Sequence, residues 1–311
     1  MKRRLSGVIP PIGTPLGDGD RVDETALRRL TRYLLDAGVH GILANGTMGG
    51  FAFLTDDEQL HAIATVIEEV NGAVPVMGGL GETSTSRAVR KAKRIAQEGI
   101  TYLSVLPPFY FHASQEHLLA YFSEIAAAVD CPIFLYDNPA LTKNPLHPET
   151  VAELRRRIPT ILGIKVSNED LINLQTLLEL MAGDEGFSIL TGSEFLIVVA
   201  LQMGCAGFVG GLHNLCPHLA LALYTAFQAG DLNRARQLQQ DLIGTWQIFK
   251  YGNIWGAFDE ALRYLHLADR AAGAPYISKL TTEEVIKVHS ILDQYVKPYL
   301  DFPKRLKSQT P

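Results

Sequence analysis

The chain has 311 residues, 47% hydrophobic and 20% charged, with 28 basic against 33 acidic side chains and a formal net charge of −5. This is a globular composition, long enough for one large or two ordinary domains, and its mild acidity leaves no basic footprint for nucleic acid. No apolar run nears the roughly 20 residues that cross a bilayer, and Gly7 and Pro10-Pro11 break the segment after the basic Met1-Lys-Arg-Arg4 start, so neither a membrane span nor a signal peptide is expected. Cys131, Cys205 and Cys216 show no C-x-x-C spacing. Three scattered cysteines fit reduced thiols of a cytoplasmic protein rather than a disulfide frame or a zinc site.

Short apolar runs alternate with amphipathic stretches. Strands are expected at Gly7–Ile12, Gly41–Ala44, Val74–Gly78, Tyr102–Leu106, Ile133–Tyr136, Ile161–Val166, Ser188–Thr191 and Gly207–Val209. Helices are expected between and after them, at Glu24–Ala37, Asp57–Val70, Ser86–Gln97, Gln115–Val129, Pro148–Arg157, Leu171–Met181, Glu194–Met203 and Pro217–Gln228. Thr55-Asp-Asp-Glu58 has the form of a capping box, Ser84 is placed to cap the third helix, and Gly38, Gly72, Gly99 and Gly204 fall where helices should stop. Glu68-Glu69 and Arg155-Arg-Arg157 read as solvated helix faces.

Eight strand–helix units imply parallel pairing and a (β/α)₈ TIM barrel over residues 1–230. A doubly wound sheet would carry a Gly-rich phosphate turn after its first strand, and Pro10-Pro-Ile-Gly-Thr-Pro15 is a poor one. Residues 231–311 read as a C-terminal helical appendage, fraying after Phe302. Its Trp246, Phe249, Trp255, Phe258, Leu262 and Leu265 look like packing rather than a cofactor box.

Barrel chemistry sits at the C-terminal ends of the strands. Strand two runs into Asn45-Gly-Thr-Met-Gly-Gly50, strand four into Pro107-Pro-Phe-Tyr110, strand five ends at Tyr136, strand six carries Lys165, and strand eight runs through Val209 into Gly210-Gly211. Lys165 lies in an otherwise apolar strand. A buried ammonium is costly, and a lysine that sheds its proton is a nucleophile suited to Schiff bases. The bland reading is a lysine whose head reaches solvent or a carboxylate. Tyrosine and threonine hydroxyls can relay the protons that imine chemistry requires, and amides of a Gly-rich turn can hold a carboxylate. No metal and no organic cofactor is called for. His112, His117, His213 and His218 lack metal-ligand spacing and read as surface or core residues.

These motifs together resemble the dihydrodipicolinate synthase / N-acetylneuraminate lyase family of Schiff-base aldolases. The matching pieces are Thr14-Pro15, Gly46-Thr47-x-Gly49 followed by Leu54-Thr55-x-x-Glu58, Pro108-Phe-Tyr110 with Gln115-Glu116, Tyr136-x-x-Pro139, Gly163-Ile-Lys165 and Gly204-x-x-Gly207. The resemblance covers Gly7 to Pro217 well and the helical tail loosely. It implies a lyase in which Lys165 forms an imine with a small-molecule 2-oxo acid such as pyruvate. Tyr136 would be the main proton-transfer residue, and Thr47 and Tyr110 would complete the relay. Tyr110 would reach across a subunit interface of a homodimer or homotetramer. Substrate would be bound by Met48, Gly49, Leu141, Glu194, Val209, Gly210 and Gly211.

The departures bear on substrate. The family turn reads Gly-Thr/Ser-Thr-Gly-Glu, whereas Met48 and Gly50 stand here in place of its second hydroxyl residue and its Glu. Where the synthases carry an arginine, this chain has Leu141, which cannot replace a bidentate cation. The synthase reaction of lysine biosynthesis is therefore not expected. The Ala140-Leu141 pair resembles the sialate-lyase branch, but Glu194, Phe195 and Gly211 retain one polar group at the positions that would bind sugar hydroxyls. A 2-oxo acid dehydratase or hydratase-aldolase using the same imine, and a non-catalytic 2-oxo acid binder, are the alternatives.

Overall fold

The computed structural model describes residues 4–300. The frayed tail expected after Phe302 lies outside them. Eight strands, β1 (Gly7–Val8), β2 (Ile42–Ala44), β3 (Val76–Leu80), β4 (Tyr102–Val105), β5 (Ile133–Asp137), β6 (Ile161–Val166), β7 (Ser188–Thr191) and β8 (Gly207–Phe208), pair in parallel in the order β1-β8-β7-β6-β5-β4-β3-β2. The ring closes through the residues after β1. Leu43 N–H donates to Pro10 O and Ile12 N–H to Leu43 O, both at 2.9 Å. The structure is thus a (β/α)₈ barrel. The regular part of β1 is shorter than the Gly7–Ile12 expected because Pro10 and Pro11 have no N–H to give a ladder. β3 likewise starts at Val76 rather than Val74, since Pro75 can only accept, here from Ile42 N–H at 3.0 Å.

The helices are α1 (Glu24–Ala37), α2 (Asp56–Val70), α3 (Thr85–Gln97), α4 (Gln115–Ala127), α5 (Pro139–Thr142), α6 (Pro148–Arg157), α7 (Leu171–Leu180), α8 (Ile197–Met203), α9 (Pro217–Gln228), α10 (Leu232–Trp246), α11 (Ile254–Tyr264) and α12 (Thr282–Tyr295). In α1 the apolar spacing buries Leu27, Leu30 and Leu34 against the sheet, Asp23 accepts Ala26 N–H at 3.0 Å, and Gly38 ends the helix at φ +95°. Thr55 caps α2 through Glu58 N–H, but Glu58 turns away and accepts Val22 N–H at 2.7 Å, so half of the capping box ties a loop to the helix instead. Ser84 precedes α3 in extended conformation and makes no side-chain cap bond. Arg155, expected on a solvated face, donates to Pro159 O, Ile161 O and Asp184, which fastens the start of β6.

Two apolar layers arise from strand alternation. One lies between sheet and helices. The other fills the barrel floor with Leu5, Ile9, Leu43, Met77, Tyr102, Phe134, Leu190 and Val209. α10 packs along α9 and α12, and Gly244 lets α10 and α12 approach: a Cβ there would lie 2.6 Å from the Tyr295 ring. Asp259 on α11 accepts the amides of Ala271 and Ala272, and Arg270 pairs with Asp20 at 2.7 Å. These bonds draw the segment after α11 back to the barrel rim. No helix among the described residues is long and apolar enough to cross a membrane.

Candidate active site

Strict alternation along β6 would put Leu162 and Ile164 on one face and Lys165 on the other. A bulge intervenes: Ile133 pairs with Ile161, but Phe134 pairs with Gly163, leaving Leu162 as the extra residue. Leu162 then packs toward the barrel floor, Ile164 and Val166 pack toward the helices, and Lys165 turns inward above Leu162. Gly163 makes this possible, since a Cβ would lie 2.4 Å from the Phe134 ring and 2.5 Å from Ser188 O. Just past β7, Gly192 leaves room for Ser167 and the lysine, because a Cβ there would be 1.9 Å from Ser167 Oγ and 3.0 Å from Lys165 Cε.

Lys165 is 4% exposed, and its Nζ lies 4.0 Å from the centroid of the Tyr136 ring. Tyr136 pairs with Lys165 across β5 and β6. Its hydroxyl is 3.3 Å from Thr47 Oγ1 and accepts Asn138 Nδ2–H at 3.1 Å. Burial raises the phenol's pKa, but the Lys165 charge and the hydrogen bonds of Thr47, Asn138 and Lys165 outweigh it and leave it below the ordinary tyrosine value. The ring is held by Phe51 and Leu106, with Phe109 behind. Asn138 was not foreseen as a site residue. The parity it shares with Tyr136 at the end of β5 was the available signal.

Thr47 lies in the turn Gly46–Gly50, where Phe51 N–H returns to Gly46 O and Gly50 N–H to Thr47 O. The amides of Thr47, Met48 and Gly49 donate to no acceptor among the described residues. They are the orphan donors of one helical turn, which suits a carboxylate. Gly49 is required by crowding, for a Cβ there would be 3.1 Å from Ile12 O.

Across the barrel, Glu194 is tied to the turn after β8. Its carboxylate accepts Leu212 N–H at 2.8 Å, and burial pushes its pKa up against the Leu212 and Gly211 amides and the Lys165 charge. Gly210 and Gly211 pack on it and on Met48: a Cβ at Gly210 would be 2.6 Å from Glu194 Cγ, and one at Gly211 3.0 Å from Met48 Sδ. Val209 is part of the floor. Buried His213 accepts Gly210 N–H on Nδ1 at 3.1 Å, so its proton sits on Nε2, and burial with the Lys165 charge pushes its pKa to about 3. It is a neutral core histidine that fixes the Gly210 turn.

Two predicted residues lie apart from this cluster. Tyr110 is 82% exposed at φ +83°, edge-on to Phe111, and hydrogen-bonds to neither Thr47 nor Tyr136. Leu141, on the single turn α5, is exposed at the rim of a cavity of about 430 Å³ that opens above Thr47 and Met48.

Comparison with known proteins agrees with this geometry. The model of the family described as "Dihydrodipicolinate synthetase family" matches residues 4–295. A 4-hydroxy-tetrahydrodipicolinate synthase from Methanopyrus kandleri is 36% identical over 78% of this chain and 81% of its own length. A protein named an uncharacterized DapA-like lyase from Halobacterium salinarum is 34% identical over 83% of this chain and 84% of its own. Among solved structures, YagE from E. coli, a member of the dihydrodipicolinic acid synthase family crystallised with pyruvate, superposes with TM-score 0.88 at 26% identity, covering 94% of this chain and 98% of that one. Barrel, family model and relatives converge: the chain is a lyase and belongs to the dihydrodipicolinate synthetase family.

Proposed function

We propose that the protein is a class I aldolase-type lyase that forms a Schiff base between Lys165 and a 2-oxo acid, with pyruvate as the simplest substrate. The observation that carries this reading is the Lys165–Tyr136 contact: a buried amine 4.0 Å over the ring of a tyrosine whose hydroxyl is held by Thr47 and Asn138. In the proposed reaction Lys165 Nζ attacks C2 of the 2-oxo acid. Tyr136 passes protons to the carbinolamine oxygen, and water leaves to give the imine. The protonated imine draws electrons from C3, so a C3–H or C3–C4 bond can break to an enamine. The unbonded amides of Thr47, Met48 and Gly49 support a place for the carboxylate, which compensates for the hydroxyl that Met48 lacks.

The synthase reaction that several relatives are named for is disfavoured. It needs a cation for a second carboxylate, and the matching position is Leu141. The exposed Tyr110-Phe111 pair supports a homo-oligomer, dimer or tetramer, in which a second copy brings its tyrosine to the relay. Intact-mass analysis after borohydride reduction with pyruvate tests the reading. It expects one reduced pyruvyl adduct, mapped to the Lys165 peptide. A folded protein with an adduct elsewhere, or with none for pyruvate or larger 2-oxo acids, would refute it.

A further inference from the structure

We infer that the second reactant, the aldehyde joined to or released from C3 of the 2-oxo acid, is uncharged and aromatic. This rests on the Lys165 reading and adds the substrate class. The cavity of about 430 Å³ shares Thr47 with the proton relay and Met48 with the carboxylate turn, so it is the outer half of the same site. It is of a size for a small ligand. Among the described residues none that lines it is charged. Its walls are Phe51, Phe53, Leu106, Phe109, Leu141 and Trp255. Of its polar side chains besides Thr47, the Thr142 hydroxyl is already bonded to Asn138 O and Asn144 O, which leaves the Tyr276 hydroxyl and the Trp255 indole N–H. A carboxylated aldehyde would find no cation there, and a polyhydroxylated one would lose more hydration than one phenol and one indole N–H can replace.

The wall is built around Phe53. Gly50 has φ +69°, and a Cβ there would lie 2.1 Å from the Phe53 ring; a Cβ at Gly273 would lie 2.5 Å from it. The ring meets Trp255 edge-on at 5.3 Å between centroids and Tyr276 at 6.0 Å. The glycine in place of the family's Glu is therefore what admits an aromatic ring at the mouth. Phe51 and Phe109 form a second edge-on pair at 6.2 Å. Two T-shaped pairs present ring faces and edges that complement a third ring.

In the synthetic direction the enamine C3 of the Lys165 adduct bonds to the aldehyde carbon. The aldehyde oxygen takes a proton from Tyr136, and water hydrolyses the imine. Pyruvate and an aromatic aldehyde thus give a 4-aryl-4-hydroxy-2-oxo acid, with Lys165 regenerated. Cleavage is the reverse.

The test is aldol addition with pyruvate and benzaldehyde, glyceraldehyde or succinic semialdehyde as alternative acceptors. The expected kcat/KM for benzaldehyde is at least about tenfold above the other two. Trp255→Ala should raise KM for benzaldehyde about tenfold with a smaller change in kcat. Leu141→Arg, at an exposed position, should move the preference toward succinic semialdehyde by about tenfold or more. Equal or better use of glyceraldehyde or the semialdehyde by the unmodified protein overturns the inference. Borohydride trapping with pyruvate alone separates the two levels. An adduct on Lys165 without an aromatic preference sinks only the inference, whereas no adduct with pyruvate or with larger 2-oxo acids sinks the Lys165 reading and the inference with it.

Discussion

The strand ends and the mouth of this barrel are built by different rules. Lys165, Tyr136 and Asn138 stand on or at the ends of β5 and β6, where alternation and one bulge decide which side chains point inward. The mouth is assembled from the turn after β2, the loop after β4, α5, and Ile254, Trp255 and Tyr276 from the chain's last third. The cluster at the strand ends, above the apolar floor, is polar, with the hydroxyls of Tyr136 and Thr47 and the amide of Asn138 engaged, and the mouth is mostly apolar with no charge. A fold can thus keep one reaction at its strand ends while its loops choose what enters.

Breaking the cluster at the strand ends should have the largest effect. Lys165→Ala removes the proposed nucleophile, so borohydride trapping should vanish and turnover should fall by at least about 10⁴-fold. Circular dichroism and the melting curve should stay near those of the parent, because the packing lost with three methylenes is offset by removal of a buried amine. Retained turnover would mean that the reacting amine lies elsewhere. Tyr136→Phe keeps the ring that packs on Phe51 and Leu106 but removes the hydroxyl. A loss of about 10²- to 10³-fold in kcat is expected, with the imine still trapped after longer incubation. An unchanged kcat would remove Tyr136 from the proton path.

Gly163→Ala tests whether the bulge aims the lysine. The new Cβ would meet Phe134 and Ser188 O within about 2.5 Å, and one of those contacts is backbone. A loss of about 3 kcal/mol in stability is expected from denaturant titration, with slower trapping of pyruvate because Lys165 shifts with its strand. A variant as stable and as reactive as the parent would show that β6 does not depend on this packing.

The same contrast explains what could be read without coordinates. The barrel and the place of Lys165 in a buried strand were legible because short apolar runs at βαβ spacing are local patterns. The bulge was not, since a single extra residue leaves no mark in an apolar run. Thr55-Asp-Asp-Glu58 promised a closed capping box, but Glu58 prefers Val22 N–H, a partner 36 residues away. Glu194 read as a substrate-binding residue, and nothing in the sequence signals that one of its oxygens accepts Leu212 N–H. Trp255 looked like packing, yet it reaches the mouth because Asp259 and Arg270 fold its neighbours back over the rim. Long-range pairings of this kind decide the mouth, and no window of sequence contains them.

The end of β5 sharpens the comparison on one strand, where adjacent residues face opposite ways. Tyr136 points inward at Lys165 and is held below its ordinary pKa, burial notwithstanding. Asp137 points outward and is buried with the Leu146 amide at 3.0 Å and Asn168 Nδ2 at 2.7 Å. There burial prevails over those two bonds and the charge of nearby His147, and the carboxyl is pushed from 3.8 up to about 6. Between these values the native state keeps a proton that the unfolded chain has released, so stability is higher at acid pH and declines as pH rises through about 6. The gap corresponds to roughly 2 kcal/mol allowing for screening and relaxation. Asp137→Asn keeps an acceptor for Leu146 N–H and cannot ionise, so this fall should flatten when unfolding is followed in denaturant from pH 4 to 7. Activity, which depends on the inward face, should keep the parent's pH profile. Parallel stability curves for parent and variant would show that Asp137 ionises in the fold as freely as in the unfolded chain, and that the two faces of β5 do not differ in the way their partners imply.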